Sequence, residues 1–170
     1  MIIIRPALAG DAEALPEIEQ SAGKAFRSIP ELAWLADGDN LSAATHRELI
    51  QQGACWVAVD HGRPVGFLSA GIEGDALHVR ELDVRLDRQG RGIGGALLET
   101  AIGDARRRGL AAVTLTTFRD VAWNAPFYRK FGFRILEGVG VDARLAGLLG
   151  EEAAHGMPAD RRCAMRLDLG

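Results

Sequence analysis

The chain has 170 residues, 48% apolar and 25% charged, with 20 lysines and arginines against 23 aspartates and glutamates for a formal charge of −3. That length suits one domain with a real core, and the near balance of charge argues against a surface built for nucleic acid or anionic lipid. The two cysteines, Cys55 and Cys163, lie far apart in apolar runs, which argues against a disulfide framework, a zinc site or a redox motif and leaves them as small buried hydrophobes.

Residues 1–5 form a β-branched run that Pro6 stops, and the arginine and proline that follow so soon deny it the character of a signal peptide. No window reaches the length of a membrane span, so the expectation is a cytoplasmic protein. Asp11 is placed to cap a helix with Leu15 and Ile18 on one face, with Pro16 as the alternative start. Residues 21–40 have poor periodicity and read as a loop with short helical pieces. Ser42 caps a second helix, Leu49 and Ile50 face inward, and Gly53 ends it.

Residues 54–60 and 64–70 are apolar runs around His61, Gly62 and Arg63, the signal of a hairpin. A second turn at 73–75 leads to a third strand over 77–84, so the middle of the chain is an antiparallel meander. Leu97, Leu98, Ala101, Ile102 and Ala105 recur at helical spacing, and Arg106, Arg107 and Arg108 before Gly109 suit a helix C-terminus. Residues 110–118 alternate as a strand whose return through a helix predicts a parallel crossover. A short helix over 123–131 follows, with Asn124 at its cap, Pro126 in its first turn and Gly132 as its stop. A strand over 133–136, a helix over 142–154 bearing Leu145, Leu148 and Leu149, and a closing strand over 162–169 complete one α+β domain spanning residues 1–170.

Between the meander and the long helix stands Gln89-Gly90-Arg91-Gly92-Ile93-Gly94-Gly95. Glycines let backbone N–H groups approach a ligand closely, and the first turn of a helix leaves several of those groups unpaired. Arg88 and Arg91 add charge beside them, so the loop suits a di- or triphosphate-sized anion. Gly90, Gly92 and Gly95 also satisfy G-x-G-x-x-G. The meander before it, the five residues 85–89 between strand and loop, and the missing acidic residue some 20 positions on oppose a dinucleotide-binding fold.

Gln89, Gly92 and Gly94 match the Q/R-x-x-G-x-G/A signature, and the chain here resembles the GNAT superfamily of acyl-CoA-dependent N-acyltransferases. Trp123-Asn-Ala-Pro-Phe-Tyr128-Arg-Lys-Phe-Gly-Phe133 resembles the second signature of that family, and the element order agrees from residue 1 to about residue 136. Residues 137–161 are longer than a simple hairpin and depart from the minimal pattern. The resemblance implies a mixed α/β fold with a mostly antiparallel central sheet, a splayed parallel strand pair and flanking helices. It implies acetyl-CoA as cosubstrate, no metal, and a primary amine as acceptor; the acidic and aromatic residues of the segment 22–41 favour an amine of a small molecule. The pyrophosphate would lie on Gln89, Gly90, Arg91, Gly92, Ile93, Gly94 and Gly95 with Arg88 and Arg91 beside it, and pantetheine along the strand at Leu82 and Val84, bonding its amides as an added strand would.

Aminolysis of a thioester needs a neutral amine, hence a base, because a lysine-like amine has a reference pKa of about 10.4. Glu81 matches the acidic position where some relatives place that base. Asp83 shares its strand face and His78 lies on the other, and both stay open. Tyr128 matches the usual proton donor to the leaving thiolate, and Asn124 is placed both to bond the cofactor and to cap its helix. Residues 22–41 and 137–161 would wall the acceptor pocket, with Glu31, Asp37 and Asp39 as attraction for a cation and Phe26 and Trp34 as apolar wall. A non-catalytic acyl-CoA-binding module of the same fold is the alternative, and the oligomeric state is open, a homodimer included.

Overall fold

The computed structural model describes all residues, Met1–Gly170. It contains seven strands and five α-helices: β1 (Ile2–Pro6), α1 (Leu15–Gly23), α2 (Ala43–Gln51), β2 (Cys55–Asp60), β3 (Arg63–Glu73), β4 (Ala76–Val84), α3 (Ile93–Arg107), β5 (Ala112–Phe118), α4 (Ala125–Arg129), β6 (Arg134–Leu136), α5 (Ala143–Ala154) and β7 (Arg162–Asp168). The strands form one sheet in the order β1-β2-β3-β4-β5-β7-β6. Pairing is antiparallel at β1–β2, β2–β3, β5–β7 and β6–β7, and parallel at β4–β5, where the ladder joins Ala76–His78 to Ala112–Thr114, three residues of a nine-residue strand. The mixed α/β class and the single parallel pair are those expected from the sequence. The last strand in the chain, β7, lies between β5 and β6 in the sheet.

Contacts divide the chain into two compact units, residues 1–72 with 79–107, and residues 73–78 with 108–170. In the first, His61 and Gly62 make the two-residue hairpin turn between β2 and β3, both with positive φ, as a right-twisted hairpin requires. Leu15 and Ile18 of α1, Ile50 of α2, Cys55, Val57 and Val59 of β2 and Phe67 of β3 pack into one apolar cluster. Burial of such side chains contributes roughly 1.5–3 kcal/mol each. Along α3, Ile93, Leu97, Leu98, Ala101, Ile102 and Ala105 are buried, the apolar stripe read from the spacing. Gly66 of β3 has no room for a side chain. A Cβ there would stand 3.1 Å from the Asp83 carbonyl oxygen, 3.3 Å from Val84 and 3.4 Å from Ile93, so this glycine lets the end of β4 and the start of α3 close onto β3.

Asp11 does not cap α1. It lies in a 3-10 turn over Ala9–Ala14, where its Oδ2 accepts the Leu8 N–H at 2.7 Å and its two oxygens accept both Arg5 nitrogens at 2.8 and 3.0 Å. The helix itself starts at Leu15 with Pro16 in its first positions, where the missing N–H costs nothing. Ser42 caps α2 as expected, its Oγ accepting the Thr45 N–H at 3.1 Å. Residues 24–28 and 30–37 are short 3-10 pieces.

In the second unit, Asp142 caps α5 through the Leu145 N–H at 2.8 Å, and Leu145 packs with Leu136 and Ala164. Glu152 of α5 accepts from Thr116 at 2.7 Å and from Arg162 at 3.1 and 3.2 Å, tying that helix to β5 and β7. No helix is long and apolar enough to cross a membrane.

Candidate active site

The glycine stretch folds as a turn that hands over directly to α3. Gly90 and Gly92 have φ of +75° and +81°, values that side-chain-bearing residues rarely adopt, and open space surrounds the position a Cβ would take at either one. The first intrahelical bond runs from the Ala96 N–H to the Gly92 carbonyl at 3.0 Å, so the N–H groups of Ile93, Gly94 and Gly95 precede the helix ladder. Ile93 is buried and anchors the turn, while Gln89, Gly90, Arg91 and Gly92 are exposed. Gln89 folds back to donate to the Val84 carbonyl at 3.0 Å, which fixes the turn to the end of β4. An open backbone cradle at a helix start has the geometry for a phosphate group.

Arg88 is committed elsewhere as well: it bonds the Asp60 carboxylate, which, against the effect of burial, it helps to hold below the usual carboxylate value. Arg85 bonds Glu17 at 3.0 Å and Asp87 at 3.2 Å. Together with Arg63 and His61 these residues line an open cleft of about 420 Å³, in which three arginines face three carboxylates and their charges largely cancel.

At the end of β4 the structure gathers carboxylates. Oxygens of Glu19 from α1 and of Glu81 and Asp83 from β4 all lie within 4.8 Å of one another. Asp83 and Glu81 hydrogen bond through their side chains, which requires a proton between the two carboxyl groups. Burial, then the negative charge of Glu19, pushes the Asp83 carboxyl up to about 7. Burial also raises Glu19, against the hydrogen bonds it accepts from the Leu41 N–H and from His46. The His46 Nε2 contacts Glu19 Oε1, and the Leu41 N–H donates to Glu19 Oε2 at 3.3 Å. Such a group, poised to exchange a proton near neutrality, has the chemistry of a general base.

Of the three candidate bases, Glu81 and Asp83 therefore belong to one cluster. His78, in the second unit, is buried with its Nδ1 2.9 Å from Thr114 Oγ1 and 3.2 Å from an Arg144 nitrogen. Arginine can only donate, so Nδ1 is an acceptor already engaged and the ring proton lies on Nε2. Leu82 and Val84 are half-buried on β4. On α4, Tyr128 is buried, with Phe127 and Phe133 edge-on to its ring at centroid distances of 5.2 and 5.7 Å. Asn124 caps α4 with its backbone, accepting the Tyr128 N–H at 3.0 Å. Its side chain accepts no cap bond and its Nδ2 donates to the Trp123 carbonyl at 3.1 Å. Among the expected acceptor walls, Asp37 pairs with Arg27 at 3.3 Å and Trp34 is about half exposed.

Sequence reasoning missed Glu19 and His46. The available signal was helical spacing: His46 lies four residues before the buried Ile50, which puts a polar ring on the inward face of α2.

The family model for the acetyltransferase (GNAT) family matches residues 17–133, from within α1 to the residue before β6. The chain belongs to the acetyltransferase (GNAT) family. Curated relatives of this GNAT chain include a mycothiol acetyltransferase of Saccharomonospora viridis, 33% identical over 122 residues that make up 72% of this chain and 38% of the relative. Another is a mycothiol acetyltransferase of Clavibacter michiganensis, 34% identical over 112 residues, 65% of this chain and 36% of the relative. The GNAT chain thus spans less than two-fifths of the length of these relatives. Among solved structures, the PaiA N-acetyltransferase from Thermoplasma acidophilum in complex with coenzyme A superimposes with a TM-score of 0.72, covering 99% of each chain at 18% identity. At that identity the likeness is one of fold.

Proposed function

We propose that this chain transfers an acetyl group from acetyl-CoA to a primary amine of a small molecule, as one acetyltransferase domain in a cytoplasmic setting. The observation that carries the proposal is a juxtaposition within residues 81–95: a carboxylate pair able to accept a proton at the end of β4, and an open glycine turn at the start of α3. The pyrophosphate is assigned to the N–H groups of residues 89–95, with Arg91 and Arg88 as neighbouring charge, and pantetheine to the backbone of β4 at Leu82 and Val84. Asn124 is assigned a hydrogen bond to the cofactor.

An amine that arrives protonated gives a proton to the Glu81–Asp83 pair, and its neutral nitrogen attacks the thioester carbonyl. A backbone N–H near Val84 holds the oxyanion that forms. Collapse breaks the carbon–sulfur bond, the thiolate takes a proton from Tyr128, the nitrogen sheds its second proton, which passes through solvent to restore the Tyr128 phenol, and the amide leaves. Reference values of about 10 for a phenol and 8.5 for a thiol make that last transfer feasible, and the chemistry calls for no metal.

The test is thermal unfolding with acetyl-CoA, coenzyme A, NADH or NADPH in separate samples, followed by a thiol-release screen of amines and peptides. A ligand that binds only the folded chain contributes about 2.7 kcal/mol at a hundred times its Kd. Acetyl-CoA and coenzyme A are expected to stabilise the chain, and Gly94→Val, which fills the cradle, to lose that effect. Stabilisation by a nicotinamide cofactor alone overturns the assignment. Binding without thiol release toward any acceptor identifies a non-catalytic acyl-CoA-binding module, and release with peptides alone sinks the small-amine acceptor.

A further inference from the structure

Behind the carboxylate cluster stands a buried imidazole. His46 is 1% exposed, its ring meets Phe67 edge-on at 5.3 Å, and its Nε2 touches Glu19 Oε1. Its Nδ1 is buried with no hydrogen-bond partner. That orphan decides where the ring proton lies. An imidazolium, or a neutral ring protonated on Nδ1, would bury an N–H with nothing to accept it, at a cost of about 1–3 kcal/mol or more. The neutral ring protonated on Nε2 leaves only a lone pair bare and donates its single N–H to Glu19.

Glu19 therefore receives one donor on each oxygen, from His46 Nε2 and from the Leu41 N–H. Two donors favour the charged carboxylate and hold it in one orientation. The other ionisable groups on the surrounding elements are committed elsewhere or, like Glu48 of α2, exposed to solvent. On α1, Glu17 pairs with Arg85; on α2, Arg47 pairs with Glu13; on β4, Arg80 donates to Gln52 at 3.3 Å. On β2, Asp60 pairs with Arg88, and the Cys55 thiol contacts Ser69 Oγ at 3.4 Å with burial pushing it further from ionisation. The charge that Glu81 and Asp83 meet from α1 and α2 is thus that of Glu19.

We propose that His46 is a positioning residue of the acyl-transfer site: with its proton on Nε2 it keeps Glu19 charged and turned toward β4, and that charge keeps one proton shared between Glu81 and Asp83. The inference rests on the acetyl-transfer reading for its use in catalysis. The arrangement itself needs neither cofactor nor acceptor to be read.

The experiment is a pH titration of the full chain, carrying ¹³C-labelled Asp and Glu carboxyls, from roughly pH 4 to roughly pH 9, around the reference values. In His46→Leu, Glu19 loses a donor, favours its neutral form and repels its neighbours less. The Asp83 carboxyl step is then expected to move down by on the order of one pH unit. His46→Gln can return an N–H to Glu19, so the step is expected to move back toward that of the parent chain. Glu19→Gln, which still offers an oxygen to Nε2–H but carries no charge, is expected to move the step as His46→Leu does, and it carries the test alone if His46→Leu does not fold. With any amine that the thiol-release screen identifies, the acid limb of kcat/KM is expected to follow the carboxyl step in each variant. An Asp83 step that stays in place in folded His46→Leu, or in Glu19→Gln, overturns the proposal. Because the titration uses no acetyl-CoA, that failure is separate from a failure of the chain to bind the cofactor.

Discussion

An aspartate that keeps a proton up to about pH 7 loads the folded state against alkaline conditions. The unfolded side chain titrates near 3.9, so between about pH 4 and about pH 7 the folded chain binds more protons than the unfolded one. Stability contributed through this group is full at the acid end of that window and is lost as pH rises through it. Asp83→Asn removes the titration. Its melting temperature, compared with that of the parent, is expected to gain roughly 3 °C or more at pH 8 over pH 5, while acetyl transfer falls. Equal pH dependence in the two proteins would show that Asp83 ionises normally. Glu81 and Asp83 were legible as a pair because a strand repeats every two residues. Glu19 was not, since it reaches them from α1, more than sixty residues earlier, and only the packing of α1 and α2 brings it there.

Elements were legible wherever one chemical pattern ran long enough. The stripe of α3, the Ser42 cap and the His61–Gly62 turn each follow from local sequence. Three features did not. Asp11 had two uses open to it, a cap or a partner for Arg5, and the bidentate ion pair with its charge-assisted bonds won. Asn124 caps through its carbonyl because its side chain turns to Trp123. The insertion of β7 between β5 and β6 is a long-range pairing to which no local pattern points. At this scale Gly66 is the sensitive point. Gly66→Ala sets a methyl 3.1 Å from the Asp83 carbonyl oxygen, and backbone yields less readily than a side-chain tip. The expected loss is about 1–3 kcal/mol, read as a lower urea midpoint at unchanged slope. An unchanged midpoint would mean that the end of β4 has slack against β3.

Over the whole molecule, the division into two compact units had no signal in the sequence. No linker or low-complexity stretch marks it, because each unit is assembled from two separate pieces of chain and the boundaries fall inside β3, inside β4 and at the end of α3. The acetyltransferase family, by contrast, was legible from two short signatures, the glycine turn before α3 and the run from Trp123 to Phe133, each a set of particular residues at fixed spacing. Both thiols, Cys55 and Cys163, are buried, and burial raises both away from the reactive thiolate. Coenzyme A freed by the proposed acetyl transfer would carry an exposed thiol. A colorimetric disulfide reagent added to the native protein is therefore expected to stay colourless, to report two sulfhydryls per chain once the protein is unfolded, and in between to count turnover with no background from the catalyst itself.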